Sequence, residues 1–132
     1  MLSTQQLLDD FAAYTLGDKA MDDTHQAFLQ LCLTTVQADG PEFVKHFQAL
    51  FEHTHQHFAE EEARMLTSVY PAYAEHRADH QRILGDMNRF CQRLSLGRTA
   101  MAKAWLKESL PAWFDVHAKT MDSALAAHLK NH

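Results

Sequence analysis

Apolar residues return every three or four positions through most of this chain, the period of one face of an α-helix. From Lys19 to Ala38 the stripe is Met21, His25, Phe28, Leu29, Cys32 and Val36. Asp22 and Asp23 fall in the first turn of that segment, where negative charge suits the helix dipole. From Pro41 to Thr67 the apolar positions are Phe43, Phe47, Leu50, Phe51, Phe58 and Met65. A third helix is expected from Ala72 to Leu94 and a fourth from Thr99 to Leu129. Asp39-Gly40-Pro41, Tyr70-Pro71 and Ser95-Leu96-Gly97-Arg98 supply the breaks between them. Pro111 lies inside the fourth segment and should kink or split it, because it removes a backbone donor and crowds the preceding turn.

Ahead of these helices, Met1 to Asp18 forms an N-terminal arm. Leu7, Leu8, Phe11 and Tyr14 recur there at helical spacing, and Gly17 should end it. The pattern predicts an all-α chain: a four-helix bundle with up-down-up-down topology, since short loops make sequential helices antiparallel neighbours. A length of 132 residues suits one domain over residues 1–132, with the arm over 1–18.

Composition narrows the function. A hydrophobic content of 46% argues against disorder, and charges interrupt every apolar run before it could span a bilayer. The first residues lack the basic-then-apolar order of a secretion signal, so a cytoplasmic protein is expected. A net charge of -5 argues against nucleic acid or an anionic membrane as the main partner. Cys32 and Cys91 each sit in a helical apolar pattern outside any CxxC pair, and read as small hydrophobes.

The ten histidines change the picture more. They run from His25 to His132 rather than clustering at one end, and their spacing is helical. His57 and Glu61 are four apart on the second helix, and His76 and His80 four apart on the third. Residues at that spacing stack on one helix face and can point at one ion. His25 lies in the stripe of the first helix, and the fourth brings His117 and, five residues on, Asp122. Any one of these reads as a satisfied core histidine or a solvated charge run. Together they are five histidines and two carboxylates contributed by four helices. Burying them without a metal would cost several kcal/mol in unsatisfied polar atoms.

The order of these residues resembles the hemerythrin family: a lone His, then H-F-x-x-E-E, then Y-P followed by H-x-x-x-H, then H-x-x-x-x-D. Here these are His25; His57-Phe58-Ala59-Glu60-Glu61; Tyr70-Pro71 leading to His76 and His80; and His117 to Asp122. The resemblance covers Met21 to Leu125. It implies a bundle holding two iron ions, with His76, His80 and His117 on one, His25 and His57 on the other, and Glu61 and Asp122 bridging them beside an oxide or hydroxide. Counting donors then leaves the iron with two histidines one open position, where a small ligand can enter. The implied function is reversible binding of dioxygen for transport, storage or delivery. The alternatives are a di-iron enzyme (a peroxidase, a nitric oxide reductase or an iron-oxidising protein) and a sensor module. Ferritin-like oxidases use four carboxylates and Glu-x-x-His motifs. A centre rich in neutral imidazole favours high-valent iron less and suits binding better. A partner that receives dioxygen or supplies electrons is left open.

Trp113, one turn before His117, is expected to wall an apolar dioxygen pocket with Phe58, Phe28 and Met65. Five residues of ideal helix turn through about 140°, so His117 and Asp122 cannot share a face unless the helix widens. A π-bulge is expected between them. His53, His55 and His46 read as rim residues, and His128 and His132 as a solvent-exposed pair. Where the family often has a tryptophan in the arm, this chain has Phe11 and Tyr14.

Overall fold

The computed structural model describes residues 1–132, and its secondary structure is entirely helical. The arm is a short helix, α1 (Thr4–Asp9), capped by a Ser3–Gln6 box, then a 3₁₀ turn at Phe11–Tyr14. The bundle helices are α2 (Lys19–Gln37), α3 (Gly40–Thr67) and α4 (Tyr73–Leu94), followed by a composite fourth helix. That last rod runs α5 (Ala100–Ala104), a π turn (Trp105–Ser109), α6 (Leu110–His117), a second π turn (Ala118–Asp122) and α7 (Ser123–Leu129). The four rods form the up-down-up-down bundle. No helix is long and apolar enough to cross a membrane.

Local chemistry fixes the ends. The Asp18 carboxylate caps α2 by accepting from the Met21 N–H, and Arg64 at the far end of α3 grips the same carboxylate through both Nη atoms at 3.0 and 2.7 Å. Gly17 takes φ +77°, a conformation costly for other residues. There the backbone turns so that the Leu16 and Gly17 N–H groups both donate to Asp22. Asp22 therefore does more than complement the helix dipole: it ties the arm to α2.

Pro111 splits the fourth rod as expected, but the adjustment lies upstream of it. The Leu110 N–H donates to the Trp105 carbonyl five residues back, and Pro111 then sits in the first turn of α6, where no donor is required. The core divides in two. The larger cluster includes Leu7, Phe28, Phe43, Phe47, Leu50, Phe58, Ile83, Met87, Leu106 and Phe114; the smaller is Met21, Met65, Leu125 and Ala126. A polar layer lies between them.

Candidate metal centre

Every buried histidine, aspartate and glutamate of the chain belongs to this layer: His25, His57, Glu61, His76, His80, His117 and Asp122. The other buried polar side chains are threonines, and Thr35 and Thr54 return their hydroxyls to the carbonyl one turn back. α2 supplies His25, α3 supplies His57 and Glu61, α4 supplies His76 and His80, and the last rod supplies His117 and Asp122.

The last pair shows why the rod is irregular. The Ser123 N–H donates to the Ala118 carbonyl five residues back, so the turn holds one extra residue. That widening brings His117 Nε2 to 3.2 Å from Asp122 Oδ1, across a spacing a regular helix would splay apart. The π-bulge expected from the five-residue spacing is present.

Each carboxylate divides its two oxygens between two groups of histidines. Glu61 Oε2 lies 3.0 Å from His57 Nε2, while Oε1 lies 3.1 Å from His76 Nε2 and 3.3 Å from His80 Nε2. Asp122 Oδ2 lies 3.2 Å from His25 Nε2, while Oδ1 lies 3.1 Å from His76 Nε2 and 3.2 Å from His117 Nε2. Glu61, His76, His80, His117 and Asp122 place one donor atom each within 4.8 Å of one another, and His25, His57 and Glu61 do the same. These are two adjoining groups sharing a carboxylate.

The donor set fits metal better than it fits itself. His76 Nε2 and His117 Nε2 face each other at 3.2 Å, though two ring nitrogens can share at most one proton. His80 Nε2, Glu61 Oε1 and Asp122 Oδ1 are buried without a hydrogen-bond partner. Buried atoms that approach so closely without a hydrogen-bond partner are arranged around a common centre. The charges tell the same story. Burial and the charge of Asp122 oppose ionisation of Glu61, yet the imidazoles of His57, His76 and His80 around it hold its carboxyl well below the usual range. Asp122 is held down likewise: burial opposes its charge, and His117, His25 and His76 outweigh it. Burial disfavours a proton on His117, but Asp122 and Asp79 outweigh it and raise that imidazole to about 9. The layer calls for positive charge, which protons or metal ions can supply.

A small cavity of about 10 Å³, room for roughly one water-sized molecule, opens against the layer. Phe28, Phe58, Trp113 and Phe114 form one side, and His25, His57, His117 and Asp122 the other. Trp113 stacks on the His117 ring at 4.7 Å, and Phe58 lies parallel to the His80 ring at 3.8 Å. Met65 is a correction: it is not part of this wall. It lies four residues beyond Glu61, on the other side of the polar layer, and packs with Met21, Leu125 and Ala126. Phe114, which the sequence reading did not name, takes the place expected of Met65, edge-on to His25 at 5.4 Å. The α6 periodicity could have suggested Phe114, three residues before His117.

Two further residues escaped the sequence reading. His117 Nδ1 donates to Asp79 at 2.7 Å and His80 Nδ1 donates to Glu62 at 2.8 Å. Glu62 reads as the end of a solvated acidic run, and Asp79 has no spacing of its own. The one available signal is general: a ligating imidazole usually donates its outer N–H to a carboxylate or carbonyl. His53 is half-buried, stacked on Phe28 at 6.5 Å, and His55 is exposed. His128, expected to be exposed, is half-buried instead: it donates to the Ser68 carbonyl and packs on Tyr70. The end of α3 covers it.

The family model for the hemerythrin HHE cation binding domain matches residues 16–129. A bacteriohemerythrin of Ralstonia nicotianae is 34% identical over 117 residues, covering 89% of this chain and 85% of that one. Hemerythrin subunits B and A of Sipunculus nudus are each 28% identical over 102 residues, 77% of this chain and 76% of theirs. No solved structure gives a significant match. With the motif residues gathered into one buried layer and the family model spanning nearly all of it, this chain belongs to the hemerythrin family.

Proposed function

We propose that this protein binds dioxygen reversibly at a pair of irons bridged by Glu61 and Asp122. His76, His80 and His117 hold one iron and His25 and His57 the other, with an oxide or hydroxide as the third bridge. The observation that carries this reading is the division of each carboxylate, one oxygen toward each histidine group. Bridging carboxylates need that orientation; carboxylates serving a single ion do not. The iron pair, when bound, supplies two electrons and one open coordination position.

The chain's own residues determine what reaches that position. Aromatic rings of Phe28, Phe58, Trp113 and Phe114 exclude bulk water, and the cavity they enclose abuts both His25 and His57, the group with one histidine fewer, and only His117 among the histidines of the other group. Its size admits a small gas and no organic substrate, which argues against an oxidase of organic molecules. The two unpaired cysteines, one of them in the core, suit a reducing compartment, and we place the protein in the cytoplasm. Its partners in this role are dioxygen and a recipient or electron donor, and neither nucleic acid nor a membrane takes part.

Metal analysis and anaerobic optical spectra test the reading. Reconstituted protein is expected to hold two irons per chain and to gain visible charge-transfer absorption on adding dioxygen, lost again on its removal. One zinc per chain, with no response to dioxygen, would sink the di-iron assignment. Rapid irreversible decay with consumption of a reductant would mark an enzyme instead.

A further inference from the structure

The five site histidines are not held alike. His80 and His117 each donate the outward Nδ1–H to a carboxylate, Glu62 and Asp79. A carboxylate only accepts, so in the neutral ring the inner Nε2 is left as a bare lone pair aimed into the layer. His25, His57 and His76 have no partner for Nδ1. Both carboxylate-backed rings belong to one group of donors, and neither belongs to the His25–His57 group.

These ties cross between helices. Glu62 on α3 holds a ring of α4, and Asp79 on α4 holds a ring of α6. The Trp113 indole N–H donates to the same Asp79 oxygen at 2.9 Å, so one carboxylate fixes both a site imidazole and the ring stacked on it. Arg77 and Arg82 approach the other oxygens of Glu62 and Asp79. The two carboxylates are 15% and 18% exposed, while Arg77 and Arg82 are 50% and 59% exposed. Water therefore screens the arginines more than the carboxylates.

We propose that Glu62 and Asp79 are positioning residues for one half of the centre. By orienting His80 and His117 and placing negative charge behind them, they make the ion held by His76, His80 and His117 more tightly bound and harder to reduce than its neighbour. The inference rests on the two-ion reading above. Residues that back a ligating imidazole typically contribute about 10- to 100-fold to metal affinity.

The test compares Glu62→Gln, Asp79→Asn and Asp79→Ala with Glu60→Gln. Glu60 loses the same charge two residues from Glu62, but it is exposed and accepts only from Gln56. Ferrous iron affinity is read anaerobically by chelator competition, and the midpoint potential by reductive titration. Circular dichroism first establishes that each variant has the wild-type helix content. Glu62→Gln and Asp79→Asn are expected to weaken one of the two iron-binding steps by about 10- to 100-fold and to raise the midpoint potential. Glu60→Gln should change neither. Asp79→Ala should lose more than Asp79→Asn, because the asparagine oxygen still accepts from His117. If Asp79→Ala fails to fold, the other two variants decide the matter. Should Glu62→Gln and Asp79→Asn match Glu60→Gln, or weaken both steps equally, the proposal falls. None of these readouts needs dioxygen, so failure of the gas-binding reading and failure of this one are separate results.

Discussion

Val69 is the one residue other than glycine with positive φ, at 55°. It ends α3 in a Schellman motif: the Tyr70 N–H donates to the Met65 carbonyl and the Val69 N–H to that of Leu66. Glycine usually fills this position, because a left-handed conformation costs other residues about 1–2 kcal/mol. Valine gains little in return, being 82% exposed. Val69→Gly should remove that strain, offset in part by glycine's greater freedom in the unfolded chain, about 0.5–1 kcal/mol. The net expectation is a stabilisation of up to about 1 kcal/mol, a rise of roughly 4 °C in melting temperature. A calorimetric scan checks it, and an unchanged or lower midpoint would show that the turn stores no such strain. The sequence marks the stop through Tyr70-Pro71, but nothing marks Val69 itself, since the usual sign of a left-handed cap is a glycine or asparagine. The same contrast holds in the metal centre. Residues tied by helical spacing, such as His57 with Glu61 and His76 with His80, are legible because four residues complete a turn. Glu62 and Asp79 act across helices, and no spacing within one helix encodes that.

At the scale of elements, the boundaries of α2, α3 and α4 follow the sequence signals to within a residue or two, because caps and breakers are local. The two π turns divide on the same principle. The one at Ala118–Asp122 could be foreseen, because two residues five apart had to meet. The one at Trp105–Ser109 could not, since Pro111 announces a disturbance without saying where the rod absorbs it. The arm was the least legible element, because its packing is tertiary. Tyr14 is buried against Phe114, with ring centres 5.8 Å apart, and donates its hydroxyl to Asp115; Lys119 lies over its ring. The arm thus braces a residue of the cavity wall from behind. Tyr14→Phe, which keeps the ring and loses the hydroxyl, should cost about 1 kcal/mol. Tyr14→Ala should cost about 3–5 kcal/mol and release the arm. Urea melts give the energies, and hydrogen exchange of the Thr4–Asp9 amides reads the release. Equal losses in the two variants would mean that the ring's packing contributes nothing to docking.

For the whole molecule, one ion pair closes the end of the bundle nearest the metal layer. Asp18, at the start of α2, and Arg64, in the last turn of α3, are 46 residues apart in sequence and join opposite ends of two consecutive helices. The Arg64 hydrogen bonds, aided by the Met21 N–H, hold the Asp18 carboxyl below its ordinary value. The sign follows from linkage. A carboxyl depressed in the folded state contributes stability that is complete above its unfolded pKa, near 3.9, and is lost as pH falls through the folded value. Asp18→Asn keeps a side chain able to cap α2 but carries no charge at any pH. At pH 7 it should be less stable than the wild type by up to about 1 kcal/mol, the range of a partly exposed pair. Below about pH 4 the gap should narrow, because the wild-type residue is then losing its charge as well. Any other group that titrates between the two pH values does so in both proteins, so that cost cancels in the difference between them. Urea midpoints of both proteins at pH 7 and pH 3 supply that difference, and a gap of equal size at the two values would mean that the charge on Asp18 contributes nothing to closing the bundle.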